Sequence, residues 1–173
     1  MAVIEAIRTT IIEADSTSAG IEFTSIPQTY ERLQLRCSLR VTSGTAGSDV
    51  YVKLNGVTAT VSSYQALNGS GSSVSAWDAA YSGQGNRAGD CTGYGNDRAH
   101  FNSFIMDLHN YADTDKNVAM SVFWSKSVPS SPSVGRRGLV HAQTTAITSI
   151  AVYTNGLNFA RGSSVSLYGI KSS

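Results

Sequence analysis

Apolar and polar side chains alternate along several segments of this chain with a period of two residues. The clearest segment covers residues 33–42, where polar residues alternate with Leu33, Leu35, Cys37, Leu39 and Val41. A period of two places all five apolar side chains on one face of a strand, whereas a helix would scatter them around its circumference. The pattern therefore predicts a strand with one buried face.

Similar alternation recurs from the N-terminus to the C-terminus. Val165 and Leu167, for example, alternate with polar residues close to the end of the chain. We predict strands over residues 6–14, 21–26, 33–42, 50–54, 57–61, 101–111, 118–125, 138–144, 147–153 and 163–170. No segment shows the apolar spacing of an amphipathic helix. Short strands joined by polar turns predict an all-β protein, an antiparallel β-sandwich of jelly-roll type, in which residues 1–173 form a single domain.

Turn residues refine this prediction at two places. Asn55-Gly56 lies between two β-branched segments, residues 50–54 and 57–61. Both turn residues accept a positive φ, so the dipeptide predicts a hairpin with a tight turn. Asn155-Gly156 is the corresponding signal before the last strand, which we expect to lie inside a sheet.

Residues 68–100 differ in composition from the rest of the chain. They are dense in Gly, Ser, Asn and Asp, and the aromatic residues among them are Trp77, Tyr81 and Tyr94. The composition predicts a long inserted loop, ordered by these aromatic side chains. Three roles remain open for the three rings: a small satellite core beneath the loop, a protein interface, or a surface that stacks on sugar rings.

Composition and charge exclude several classes of function. Charged residues make up 14% of the chain, and the net charge is +1. With no basic patch and no long apolar run, the chain is not expected to bind nucleic acid directly or to span a membrane. The N-terminus lacks the basic start and apolar core of a signal peptide, so we expect synthesis in a cytoplasm.

The candidate chemical groups favour structural roles. Cys37 falls on the inward phase of its strand, which predicts a buried free thiol, and neither it nor Cys91 belongs to a zinc-type cluster. Asp113 and Asp115 do not complete a calcium loop, so turn chemistry is favoured there. The glycine-rich residues 83–95 do not match a phosphate-binding loop. We predict no metal and no cofactor.

A catalytic site is not predicted either. Asp107 and His109 share one face of a predicted strand, but this spacing is also typical of a solvent-facing strand edge. No nucleophile elbow is present, and the four glutamates all lie in the first fifth of the chain, away from most aspartates. We therefore expect that the protein is not an enzyme.

Several blocks resemble a family of small virion structural proteins of tailed bacteriophages. The similar blocks cover about half of the chain in the family's order: residues 23–30 (FTSIPQTY) with the following strand, 54–56 (LNG), 63–64 (SY), 67–69 (LNG), 144–150 (TTAITSI), 158–163 (NFARGS) and 167–170 (LYGI). Residues 71–98 match no part of the family.

The resemblance implies a part of a virion that is made in the host bacterial cytoplasm. The leading expectation is a non-enzymatic capsid decoration (cement) protein whose partners are the major capsid protein and copies of itself, as a dimer or trimer. The alternative is a tail-fibre or receptor-binding module that recognises host surface glycans. We expect the contacts to come from residues 1–12 and from the 68–100 segment, with Trp77, Tyr81 and Tyr94 as candidates.

Overall fold

The computed structural model describes residues 1–15, 20–42, 48–58, 62–81, 83–93, 100–126 and 132–172. Within these ranges the ordered elements are strands, and none of the described segments forms a helix long and apolar enough to cross a membrane. The strands are β1 Ala2–Ile11, β2 Gly20–Phe23, β3 Arg32–Leu39, β4 Ser48–Leu54, β5 Ser62–Ser70, β6 Ser73–Tyr81, β7 Asn86–Cys91, β8 Asn102–His109, β9 Val118–Lys126, β10 Ser133–His141, β11 Ile150–Thr154 and β12 Ser164–Ser172.

The strands form two antiparallel sheets that pack face to face. The large sheet has the order β1-β12-β3-β8-β9-β10-β5-β6, and the small sheet has the order β2-β11-β4-β7. Their facing sides share one hydrophobic core, to which both sheets contribute. The predicted all-β sandwich is confirmed.

The pairing order also confirms the jelly-roll type. Strands that are distant along the chain pair in nested order: β1 with β12, β2 with β11, β3 with β8 and β4 with β7. The first and third pairs lie in the large sheet, whereas the second and fourth pairs form the small sheet. Eight strands that alternate between two sheets in this way constitute a jelly roll.

The remaining strands, β9, β10, β5 and β6, enlarge only the large sheet. We call these four strands the extension. Along the chain, the hairpin of β5 and β6 comes after β4 and before β7, but it lies in the large sheet. Strands β9 and β10 follow β8 along the chain. The large sheet is therefore twice as wide as the small one, and β7 packs beneath β9 and β10 where the extension begins.

The predicted strand phases are correct in the strongest segments. In β3, β8, β9 and β12 the residues predicted to face inward are buried and their neighbours are not, as the alternating burial of all four strands shows. Cys37 and Cys91 are both buried free thiols, as predicted for Cys37. β12 lies between β1 and β3, inside the sheet rather than at its edge.

The prediction of a long loop over residues 68–100 is wrong. Most of this segment forms the end of β5, all of β6 and all of β7. Its polar, small side chains suit β6 because an edge strand with an exposed face buries few side chains, and backbone pairing with β5 supplies its order. Residues 133–137, which lie before the predicted strand over 138–144, also belong to a strand, β10.

The predicted hairpin around Asn55-Gly56 is correct only in its turn. Both residues have positive φ, at 50° and 70°, and the Val57 N–H donates to the Leu54 carbonyl at 3.0 Å. No strand returns beside β4, because β11 and β7 already occupy its two sides. Val57 and Thr58 are not in a strand, and residues 59–61 lie outside the described ranges.

The Asn55 side chain explains why an asparagine occupies this turn. Its amide donates to the Ala146 carbonyl at 2.9 Å, and its Oδ1 accepts hydrogen bonds from the Thr148 and Ser149 N–H groups at 2.8 and 3.1 Å. The turn thus holds the segment that leads into β11.

Candidate binding surface

Of the three aromatic residues predicted as partner contacts, Trp77 is the one whose side chain lies within the described residues. Trp77 lies on β6, paired with Ala66, with its ring partly buried against the core. Its indole N–H donates to the Tyr64 hydroxyl at 3.3 Å. This is the packing role that the sequence left open. The side chain of Tyr81 and the whole of Tyr94 lie outside the described residues.

The predicted N-terminal contact segment forms β1, one edge of the large sheet. Ile4 and Ile11 are exposed there, and Glu5 forms an ion pair with Lys171 at 2.7 Å. The segment is accessible, and its role as a contact stays a prediction.

Two carboxylates considered for chemistry, those of Asp107 and Asp113, have structural partners. Asp107 Oδ1 accepts a hydrogen bond from the Gln34 amide at 2.8 Å on the solvent side of the large sheet. Asp113 Oδ1 accepts from the Asp115 and Lys116 N–H groups at 2.8 and 3.1 Å. The second arrangement is the turn chemistry that the sequence favoured.

The most distinctive surface of the molecule is the outer face of the extension and of β8. Apolar side chains that are 42–81% exposed cluster there. Strand register makes them neighbours, since Ile105 pairs with Phe123, and Arg136 joins Phe123 to Leu67 in the same row. Val134 and Val74 flank Gly69 in the next row. We call this cluster the outer patch; its members are Leu67, Val74, Ile105, Phe123 and Val134.

The outer patch has a shallow depression at its centre. A cavity of about 270 Å³ opens there, with Leu67, Val74, Phe123 and Val134 in its wall and Arg136 at its margin. Gly69 leaves room between Val134 and Val74, because it carries no side chain. Clustered exposed apolar groups of this kind mark interaction sites, whereas singly scattered ones are normal on protein surfaces.

Sequence reasoning did not predict the outer patch, although two of its members carried a signal. Ile105 and Phe123 are large apolar residues on the polar phase of well-predicted strands. Such out-of-phase residues indicate a strand with two apolar faces. The other three members, Leu67, Val74 and Val134, lie at positions where no strand was expected.

A charged cluster lies on the small sheet, where β4 pairs with β7. Arg87 on β7 contacts Asp49 on β4 and pairs with Asp90 at 3.0 Å, while the Tyr51 hydroxyl donates to Asp49 at 3.0 Å. Burial raises the pKa of Asp49 in spite of the Arg87 charge and the Tyr51 hydrogen bond. The cluster thus adds side-chain contacts to the backbone pairing of β4 with β7.

Arg137 connects this cluster to the extension. Its Nη1 donates to the Arg87 carbonyl at 3.3 Å, and its guanidinium lies 5.4 Å from the Tyr64 ring centre and 5.7 Å from that of Trp124. Burial lowers the pKa of Arg137, and the Arg87 charge lowers it further. Arg137 therefore acts as a buried packing group between aromatic rings.

His141, at the end of β10, should make the stability of the protein depend on pH. It is 1% exposed, and neither ring nitrogen has a hydrogen-bond partner among the described residues. Burial lowers its pKa below the usual 6.5. The folded state then keeps the ring neutral while the unfolded chain takes up a proton, so stability is full above about pH 6.5 and falls as the pH drops towards the folded-state pKa.

Urea unfolding at a series of pH values checks this expectation. His141→Leu should flatten the decline in the free energy of unfolding below about pH 6.5 relative to the wild type. An unchanged slope in the variant would assign the acid sensitivity to other groups.

Comparison with known proteins yields no family. No family model and no curated protein matches the chain. Among solved structures, the chain is similar to the galectin LEC-6 of Caenorhabditis elegans, with 10% identity, 95% of this chain and 96% of that one covered, and a TM-score of 0.36. A PL-14 alginate lyase from Aplysia kurodai shares 9% identity over 99% of this chain and 83% of its own, with a TM-score of 0.25. Superpositions this loose carry no argument about this protein.

Proposed function

We propose that the protein is a non-enzymatic virion structural protein of a tailed bacteriophage, a decoration protein that binds the major capsid shell through the outer patch. The observation that carries the proposal is the cluster of exposed apolar side chains across β5, β6, β8, β9 and β10. The sequence resemblance to small virion proteins supplies the identity of the partner.

The geometry of the outer patch suits a rigid protein partner. Its members lie on paired strands of one sheet, so few side chains must be ordered on binding. Interfaces of this kind combine an apolar centre with a polar rim and are enriched in arginine. Arg136, between Phe123 and Leu67, would meet a carboxylate or a carbonyl on the shell.

The glycan-binding alternative receives less support from the described residues. Trp77 packs its ring against the core and donates its indole N–H to the Tyr64 hydroxyl, so this ring serves packing rather than sugar stacking. The observations therefore favour the shell over a host glycan as partner.

Rebinding of the purified protein to shells that lack it tests the proposal. The Phe123→Lys variant should lose at least about thirtyfold in affinity for the shells, since a charge would replace an apolar group at the centre of the interface. Thr24→Lys adds the same charge at an exposed position that follows β2 in the small sheet, and it should bind like the wild type.

Three further results bear on the assignment. Particles assembled without the gene should lack one abundant protein band and break at a lower temperature. Equal binding by the Phe123→Lys and Thr24→Lys variants would reject the outer patch as the contact. A few copies per normal particle would reject decoration itself.

A further inference from the structure

The four sheet edges of the molecule are protected to very different degrees. An exposed edge strand presents unpaired N–H and C=O groups that can pair with another chain, and proteins normally blunt such edges with bulges, charges, prolines or short strands. The edges here are β1 and β6 in the large sheet and β2 and β7 in the small sheet.

Three of these edges carry such protection. β1 has a register shift between Ala6 and Arg8, and its Glu5 forms an ion pair with Lys171 on the neighbouring β12. β2 is only four residues long. β7 pairs with a register shift between Val50 and Tyr51 of β4, and it lies beneath the wider large sheet.

Among the described residues, a single charge is the one such feature of the β6 edge. Its nine residues, SVSAWDAAY, contain no proline and no lysine, and Asp78 is the single charged residue. Its pairing with β5 runs without a shift from Ser70–Ser73 to Ser62–Tyr81. A long, regular edge strand of this composition is suited to pair with a further strand.

The turn between β5 and β6 determines which groups point to the open edge. Two residues, Gly71 and Ser72, connect the strands, and Gly71 has a φ of 58°. In a two-residue hairpin the residues that flank the turn form a hydrogen-bonded pair, and every second residue does so thereafter. The N–H and C=O groups that face the open edge are therefore those of Val74, Ala76, Asp78 and Ala80.

We propose that two copies of this chain associate through β6, which pairs antiparallel with β6 of the second copy about a two-fold axis at Trp77. In this register the nine residues of each strand overlap completely. Val74 faces Ala80 of the second copy and Ala76 faces Asp78, so no like charges oppose each other. The two Trp77 side chains lie side by side across the axis.

This arrangement accounts for several features together. It satisfies the open backbone groups of β6 and requires a partner with a complementary strand, which a second copy supplies through two-fold symmetry. It joins two large sheets into one and places the two outer patches on the same face of the joined sheet. The small side chains of Ala76 and Ala80 leave space for the close approach of two strands.

The mass of the purified protein in solution tests the inference without any capsid, so its outcome is separate from that of the proposed function. Light scattering after gel filtration should give a particle of twice the 18.3 kDa chain mass. Ala76→Pro should shift the protein to the monomer, because it removes an edge-facing N–H and leaves the bonds to β5 intact. Ala76→Lys should have the same effect, and circular dichroism of both variants checks that they remain folded.

Disulfide trapping tests the register. In the proposed dimer, Val74 and Ala80 of the two copies have Cα atoms about 5.5 Å apart, a separation that a disulfide spans. Within one chain the same residues are about 20 Å apart along the strand, so a bond between them must join two copies. The V74C/A80C double variant should therefore form a covalent dimer on oxidation. The V74C/D78C control, which is opposite only in a shifted register, should not.

A monomeric wild-type protein over a wide concentration range would overturn the inference. So would a dimer that persists in the Ala76→Pro and Ala76→Lys variants, since it would use another surface. Trapping of the V74C/D78C pair in preference to V74C/A80C would overturn the register and with it the axis at Trp77.

Discussion

Replacement of Gly135 by alanine is expected to destabilise the protein by about 2–3 kcal/mol, the upper part of the range for overpacking a well-packed core. A Cβ at position 135 would lie 2.6 Å from Cε2 and Nε1 of the Trp124 indole, a distance at which one of the two must move. The indole has little room to do so, because Gly89 on β7 approaches the base of the Trp124 side chain from the small sheet, where a Cβ would lie at 3.1 Å. For a chain of this size the loss corresponds to a decrease in Tm of roughly 4–10 °C.

Gly138 provides a matched control on the same strand. It lies on the outer face of β10, and a Cβ there would meet nothing within 4 Å. Neither glycine has a positive φ, so the two substitutions differ in what the new methyl group contacts. Gly138→Ala should leave the Tm unchanged or raise it slightly, since glycine weakens a strand. Equal Tm values for the two variants would contradict the close packing of Trp124 between the sheets.

The sequence predicted those strands whose two faces differ in polarity. In β3 every second residue is apolar and buried, so period and burial agree over the whole strand. The nested pairing of β1 with β12 and of β2 with β11 is not encoded in any local pattern, yet the all-β jelly roll followed from the many short strands and polar turns. The fold class could therefore be predicted from the presence of the strands, without knowledge of which strands pair.

Strand β6 and the first half of β10, residues 133–137, escaped prediction for different physical reasons. β6 buries little, and its short side chains give no periodic signal; its order comes from pairing with β5. β10 has an inward face composed of Gly135, Arg137, Leu139 and His141, all buried, of which only Leu139 is a large apolar residue. Buried polar residues conceal the alternation on which the prediction depends.

The outer patch could not be predicted as a surface, because its members are far apart in sequence. Leu67 and Phe123 come together only through Arg136, in a row that runs across three strands. Cross-strand register of this kind depends on the complete sheet order. The sequence indicated only that Ile105 and Phe123 were out of phase with their neighbours.

Removal of the Arg137 side chain should lower the free energy of unfolding by an amount similar to that expected for Gly135→Ala. Arg137 is 3% exposed, and it packs its guanidinium near the Tyr64 and Trp124 rings. Arg137→Ala leaves a cavity at the junction of β7 and the extension, at a cost of about 2–4 kcal/mol in the free energy of unfolding. Arg136→Ala, on the exposed face of the same strand, should change it by less than about 0.5 kcal/mol.

A third variant separates the volume of Arg137 from its charge. Arg137→Met keeps most of the side-chain volume and removes a cation whose burial lowers its own pKa. Because a desolvated charge is costly, we expect Arg137→Met to recover most of the stability that Arg137→Ala loses. Urea midpoints of the three variants at one pH measure both effects. A methionine variant as unstable as the alanine variant would show instead that the guanidinium stabilises the junction through its contacts with the two rings and the Arg87 carbonyl.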